Sequence, residues 1–341
     1  MLPFYNLAGS YAASIPIVLA DALTAPVIYL IVRKFSTERV ALAAGLGYAF
    51  SPVSLVNEGY IWLSPQPMTL FLLLSVYLLQ DRRPVLSSLA LAIAVLFKQE
   101  AAFVVPAFLV LIVLNYRASL AKATGVFTVT VVGVLSPFLV EAPRALLNHI
   151  AYWLPFSPGP SEPSRITVAV TQSQANPIVQ SCASTAVPYV YTGSICGNIV
   201  NFQAWAQYLF ISKIDSIAAF VAPLLFVIFG VGLIAVRRSP VILQMVSAYS
   251  CIGGFFLFGT LVHGVLGYYF VPVYALILAC STDARSLAVG VIAAIFGAIA
   301  PEGPFQFIIP ITALFVLALI QDSVASGNHR PPQLNVSPFR I

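Results

Sequence analysis

Few side chains in this sequence can give or take a proton, and they fall at a handful of places between apolar runs. Lys98-Gln99-Glu100 sets a cation and a carboxylate two positions apart, and these are the only charges between Pro84 and Asn115. Glu58 lies in Asn57-Glu-Gly-Tyr-Ile-Trp-Leu-Ser64, and His263, Tyr268 and Tyr269 lie in Val262-His-Gly-Val-Leu-Gly-Tyr-Tyr-Phe270. Glu141, Asp215 and Glu302 complete the set on the same side of the chain. A lysine, an imidazole and tyrosine hydroxyls beside carboxylates suit two tasks together. The donors can hold a phosphorylated lipid headgroup, and a carboxylate can take the proton of a sugar hydroxyl. Each residue has a plainer reading as well. Lys98 can snorkel to an interface or pair with Glu100 or Glu58. Glu100 serves equally as its partner or as a base, and Tyr268 and Tyr269 fit an aromatic belt.

Other chemistries lack their residues. No cluster of His, Cys and carboxylates has zinc spacing, and there is no nucleophile elbow, P-loop or dinucleotide fingerprint. No cofactor and no metal-ligating residues are expected, and the sequence leaves a metal requirement open. Cys251 and Cys280 sit in apolar runs and read as packing residues. Cys182 and Cys196 fall in a polar stretch and can form a disulfide if it faces an oxidising compartment. The bridge would close a loop of about 15 residues, worth about 3 kcal/mol in the chain-entropy description.

The elements that position these residues follow from composition. Of 341 residues 60% are hydrophobic and 8% charged, and the mean hydropathy is +0.96. A soluble core grows too slowly with chain length to hide that much apolar surface. The chain therefore reads as an all-α integral membrane protein, and disordered, fibrous and small disulfide-stapled classes are excluded. A net charge of +5, with the basic residues between apolar runs, argues against a nucleic-acid partner. Met1 to Ser10 carries no basic n-region of a cleavable signal peptide.

Eleven apolar segments are expected, at about 11–32, 40–57, 66–80, 84–97, 101–115, 123–141, 216–236, 240–260, 264–280, 286–300 and 305–320. Alternating loops place 12 of the 16 basic residues on one side, which the positive-inside rule makes cytoplasmic. The N-terminus is then outside, the C-terminus inside, and the location is the cell membrane. Four units follow: a helical module 1–141, a long polar extracytoplasmic loop 142–215, a second helical module 216–322 and a flexible cytoplasmic tail 323–341. Several segments are short, some short enough to be re-entrant. The pair 84–97 and 101–115 spans only about 22 Å per arm, which sinks Lys98-Gln99-Glu100 below the outer surface. Polar groups at that depth belong in a cavity or inside protein. Asp21, within an apolar run, is expected to tie helices together.

Three passages carry a resemblance. They are Ile15-Pro-Ile-Val-Leu-Ala-Asp21 with Arg33 and Phe50-Ser-Pro-Val-Ser-Leu-Val-Asn-Glu-Gly-Tyr-Ile-Trp62, then Ala94-Val-Leu-Phe-Lys-Gln-Glu-Ala-Ala-Phe-Val-Val-Pro106, then Val262-His-Gly-Val-Leu-Gly-Tyr-Tyr-Phe-Val-Pro-Val-Tyr274. In this order they resemble the polytopic GT-C glycosyltransferases that use polyprenyl- or dolichyl-phosphate sugars, the mannosyltransferases among them. The resemblance implies a GT-C-like architecture and a polyprenyl-phosphate sugar donor. It implies lipid-phosphate contacts from Lys98, Gln99, His263 and Tyr268, with Glu58 or Glu100 as the catalytic carboxylate. Members of the family usually begin with a cytoplasmic N-terminus, one helix and an outer loop bearing an aspartate. This chain starts where that loop would end, so three expectations stand: a truncated start, a partner chain that supplies the loop, or a non-catalytic relative.

The function expected is transfer of a hexose, such as mannose, from that donor to a lipid-linked or protein acceptor at the outer face. Two other classes compete. A non-catalytic subunit of a glycosyltransferase complex is favoured by the missing loop. A polytopic transporter or flippase would show an inverted repeat, and none is evident.

Overall fold

The computed structural model describes residues 15–55, 65–143, 228, 241–258, 267–299 and 304–326. Ten α-helices and three 3₁₀ turns have their bounds among them, a further helical stretch runs over 52–55, and the described residues hold no strand. In chain order the helices are α1 (Ile15–Arg33), α2 (Glu38–Ala49), α3 (Pro65–Gln80), α4 (Pro84–Phe97), α5 (Val105–Asn115), α6 (Leu120–Glu141), α7 (Ile242–Phe258), α8 (Val271–Leu278), α9 (Ala284–Ile299) and α10 (Pro304–Ser326). Ten of the eleven expected segments thus coincide with helix. The eleventh, 216–236, lies outside the described residues except for Ile228.

Helix ends follow local chemistry. Thr37 precedes α2 with an extended backbone, and its hydroxyl accepts from the Val40 amide at 3.4 Å. α3 stops in a turn where Arg82 takes φ 58°. There the Arg83 amide reaches the Leu78 carbonyl (2.9 Å) and the Arg82 amide the Leu79 carbonyl (3.1 Å). That is a Schellman cap with an arginine in the left-handed position glycine usually fills. Pro84 then starts α4, where a missing N–H costs nothing. The expected segment 101–115 is split. Gln99–Val104 is a 3₁₀ turn, and α5 begins at Val105 with Pro106 in its first turn.

The interior is organised around α8, every residue of which is buried. α2, α3, α7, α9 and α10 pack against it. The outside is apolar: Val140, Phe50 and Val129 are more than 70% exposed. In the apolar stretch Arg117–Glu141 only Ala123 is buried. An apolar exterior around an interior that holds serines, glutamines and a glutamate suits a lipid surround. Two helices, Ile15–Arg33 and Arg117–Glu141, are long and apolar enough to cross a bilayer unaided. No other helix among the described residues meets the same test of length and hydropathy, so they carry two clear spans rather than a full count of eleven.

The loops after α1, α3 and α8 hold polar and ionic ties. Lys34 bonds Asp81 and the Tyr77 carbonyl, both at 3.2 Å, and lies 4.0 Å over the Tyr77 ring. Asp283 accepts from the Ser286 amide at 2.8 Å, and the Ser286 hydroxyl accepts from the Asp283 amide at 2.9 Å. This reciprocal cap opens α9. Gln321 of α10 donates to the Thr282 hydroxyl at 2.7 Å. Asp21 does what its place in an apolar run suggests. Its carboxylate accepts from the hydroxyls of Tyr48 and Ser54, joining α1 to α2 and the turn after it.

Candidate functional site

α4 ends because Lys98 leaves the helix with an extended backbone, φ −156° and ψ 123°. Its amide still bonds the Ala94 carbonyl at 3.0 Å, and its carbonyl accepts from Ala101 at 3.1 Å to start the 3₁₀ turn. Glu100 occupies the first turn of that short helix, where free N–H groups favour a negative charge. The bend folds Lys98 back over Glu100, with Lys98 Nζ 3.3 Å from Glu100 Oε1. The lysine side chain is 11% exposed and the glutamate 1%.

A second element closes on the pair. The 3₁₀ turn Gly267–Phe270 leads into α8 and brings the Tyr269 ring to 3.5 Å from Lys98 Nζ. A cation over a ring face at that range gains about 0.5–2 kcal/mol, more as water is excluded. Tyr269 is itself held by aromatic contacts. Phe255 of α7 lies 5.8 Å from it and 5.5 Å from Phe270, and Phe270 meets Phe307 of α10 edge-on at 5.0 Å.

α7 lies directly against the 3₁₀ turn, and Gly254 permits the approach. A Cβ there would stand 2.8 Å from the Phe103 ring and 3.3 Å from the Glu100 carbonyl oxygen. Cys251, one turn earlier, lies within electrostatic reach of the Glu100 carboxylate. α3 completes the group. It runs antiparallel to α4, with Phe71 stacked on Phe97 at 5.8 Å. Five residues back along α3 is a climb of about 7.5 Å, which carries Gln66 past Phe97 to the end of the hairpin where Lys98 and Glu100 lie. Gln66 is fully buried, and neither amide atom makes a hydrogen bond. Its neighbours Pro65 and Pro67 bring no N–H of their own.

Of the residues singled out from sequence, Lys98 and Glu100 are brought together, and Gln99 lies half-buried beside them. Glu58, His263, Cys182 and Cys196 lie outside the described residues. Tyr268 sits in the 3₁₀ turn next to Tyr269, its side chain likewise outside the description. Glu141 is exposed at the end of α6. Gly254 and the contact made by Tyr269 were not foreseen. A tandem Tyr268-Tyr269 before an apolar helix was the available signal, but only the fold decides which ring meets the lysine. Among the described residues no group of three His, Cys, Asp or Glu side chains could hold a metal ion.

Chemically, the arrangement is a recessed cation with one carboxylate and one aromatic face, roofed by α7. A second anion reaching Lys98 would meet a low-dielectric site where charge–charge attraction is strong. Residues 4–141, about two-fifths of the 341, match the family model of the dolichyl-phosphate-mannose-protein mannosyltransferases. The match takes in α1 to α6 and the Lys98–Glu100 pair, and it bears out the GT-C mannosyltransferase resemblance over that part of the chain. No curated protein and no solved structure matches the chain.

Proposed function

We propose, from the mannosyltransferase-family match of residues 4–141 and the recessed Lys98, that this membrane protein transfers a hexose from a polyprenyl-phosphate donor to a hydroxyl acceptor. The family match implies a membrane glycosyltransferase; the donor, the acceptor and the outer-face location are the finer reading. The observation that carries it is the lysine. Its pairing with Glu100 and Tyr269 holds Nζ at the mouth of the hairpin rather than letting it snorkel away.

In the reaction the acceptor oxygen bonds to the anomeric carbon as the bond from that carbon to the phosphate oxygen breaks. The electron pair leaves with the lipid phosphate, and the acceptor proton passes to a carboxylate. Lys98 would stabilise the charge gathering on the phosphate, a contribution that grows toward the transition state. Gln66, Gln99, His263 and Tyr268 would complete the headgroup contacts. Glu58 rather than Glu100 would act as the base in this scheme, because Glu100 already holds Lys98 and is buried. A partner chain that supplies a further outer loop fits the same scheme.

The test is transfer and binding with the purified protein in nanodiscs. A polyprenyl-phosphate hexose should bind, and release of polyprenyl phosphate should depend on an added acceptor. Binding that is unchanged when Lys98 is replaced by methionine would remove the site. Lys98→Arg should keep part of the binding, since the charge remains and the compact ammonium geometry does not.

A further inference from the structure

α7 carries a second unusual feature, on the face it turns inward. Gln244, Ser247 and Ser250 are each fully buried, and neither amide atom of the glutamine nor either hydroxyl makes a hydrogen bond. At 100° per residue these three fall, with Cys251 and Gly254, within an arc of about 120°. Gly254 is the residue whose added Cβ would stand 3.3 Å from the Glu100 carbonyl oxygen, and Cys251 is the one within electrostatic reach of its carboxylate. The polar stripe therefore runs along the helix toward Glu100. Glu100 Oε2 is also buried and makes no hydrogen bond. Five polar atoms, four along one face of α7 and one on Glu100, are thus left unsatisfied inside an apolar core.

Each such atom costs about 1–3 kcal/mol if it stays dry, and native interiors hold few of them. Polar cavities recover that cost by binding water, typically with about three hydrogen bonds per molecule. The spacing fits: successive groups at i, i+3 and i+6 stand about 5 Å apart along the axis, close to the distance one bridging water spans. We propose that the Gln244–Ser247–Ser250 face of α7 is a binding site for a file of water molecules ending at Glu100 Oε2. The file solvates the carboxylate from behind. By fixing that carboxylate it keeps Lys98 held in place. Gln244, Ser247 and Ser250 act as positioning residues through that water, a role independent of what Lys98 binds.

Two measurements test this in the intact protein. Hydroxyl radicals generated by an X-ray pulse label side chains that touch bound water, even buried ones. Cys251 should be labelled several-fold more than Met245, which is equally buried but on the opposite face of α7, and more than buried Cys280. Equal labelling would overturn the proposal. The double variant Ser247→Ala/Ser250→Ala should melt at a lower temperature than the parent and lose the excess labelling of Cys251. A higher melting temperature would also overturn the proposal, because it is what removal of two dry, unpaired hydroxyls produces. If that variant does not fold, the labelling ratio in the unaltered protein decides.

Discussion

Replacing Lys98 by methionine separates two roles that the structure superimposes. The pair it breaks is buried on both sides, at 11% and 1% exposure with 3.3 Å between charges. Exposed ion pairs are worth up to about 1 kcal/mol, but removing one partner of a buried pair leaves a stranded charge and costs about 3–5 kcal/mol. Loss of the contact with the Tyr269 ring adds about 0.5–2 kcal/mol. Lys98→Met alone should therefore be strongly destabilised, and lost activity in that variant says little by itself. Glu100→Gln removes the stranded charge, so Lys98→Met/Glu100→Gln should recover most of the loss. The coupling in this double-mutant cycle should approach the upper end of the ~0.5–3 kcal/mol range seen for contacting residues. Thermal unfolding in nanodiscs gives the stability arm, and binding of a polyprenyl-phosphate hexose gives the functional arm. If Lys98 is the phosphate ligand, stability returns in the double variant and binding does not. If both return, the lysine is structural and the proposed site fails. If the two single effects simply add, the ion pair itself carries no weight and the energetic reasoning is wrong.

Four other perturbations have definite expectations. Arg82→Gly should raise stability by about 1 kcal/mol, because glycine takes φ 58° without the clash an L side chain meets; a lower melting temperature would contradict this. Gly297→Ala should be severely destabilising, since its Cβ would lie 2.2 Å from the Tyr274 hydroxyl oxygen, and Tyr274→Leu should relieve it in a paired melting experiment. Tyr48→Phe removes a hydrogen bond to the buried Asp21 and should cost about 1.5–3 kcal/mol by thermal unfolding. Asp283→Ala should cost about 1 kcal/mol through the lost cap of α9. Partial burial pushes the Asp283 carboxyl up, but the Ser286 hydrogen bonds and the Arg285 charge outweigh it and hold the group below the usual carboxylate range. That contribution is complete above the ordinary carboxylate value and fades as pH falls through the lowered one, so the gap between Asp283→Ala and the parent should close in acid.

Local chemistry made much of the helical framework readable. Arg83-Pro84 at one end and Lys98 at the other bound α4 exactly where its apolar run stops, and a lone carboxylate in an apolar run correctly marked Asp21 as a tie. The ion pair could be suspected, since its members are two residues apart. What could not be read is what lies across from it. Gly254 and Tyr269 are more than 150 residues away in sequence, and which face of α7 meets the 3₁₀ turn depends on how all the helices pack. The split of 101–115 was missed for a related reason: Glu100 to Val104 is apolar enough to continue a helix, and its tighter 3₁₀ winding answers to packing against α7. The buried serines and the glutamine of α7 carry no sequence signal at all, because polar side chains at that spacing fit a water-facing stripe equally well.

The aromatic run from Tyr269 through Phe255 and Phe270 to Phe307 has a consequence for how the chain can be divided. The family-matched segment ends at residue 141, yet the ring against its lysine is anchored by helices far beyond that point. The natural seam of the sequence is thus not a seam of the packing around Lys98. A fragment cut after α6 would retain every residue of the match and lose the wall that steadies Lys98. Two halves expressed separately would have to find each other through this buried staple. An exchange of C-terminal halves between relatives would succeed only where the staple is carried across intact.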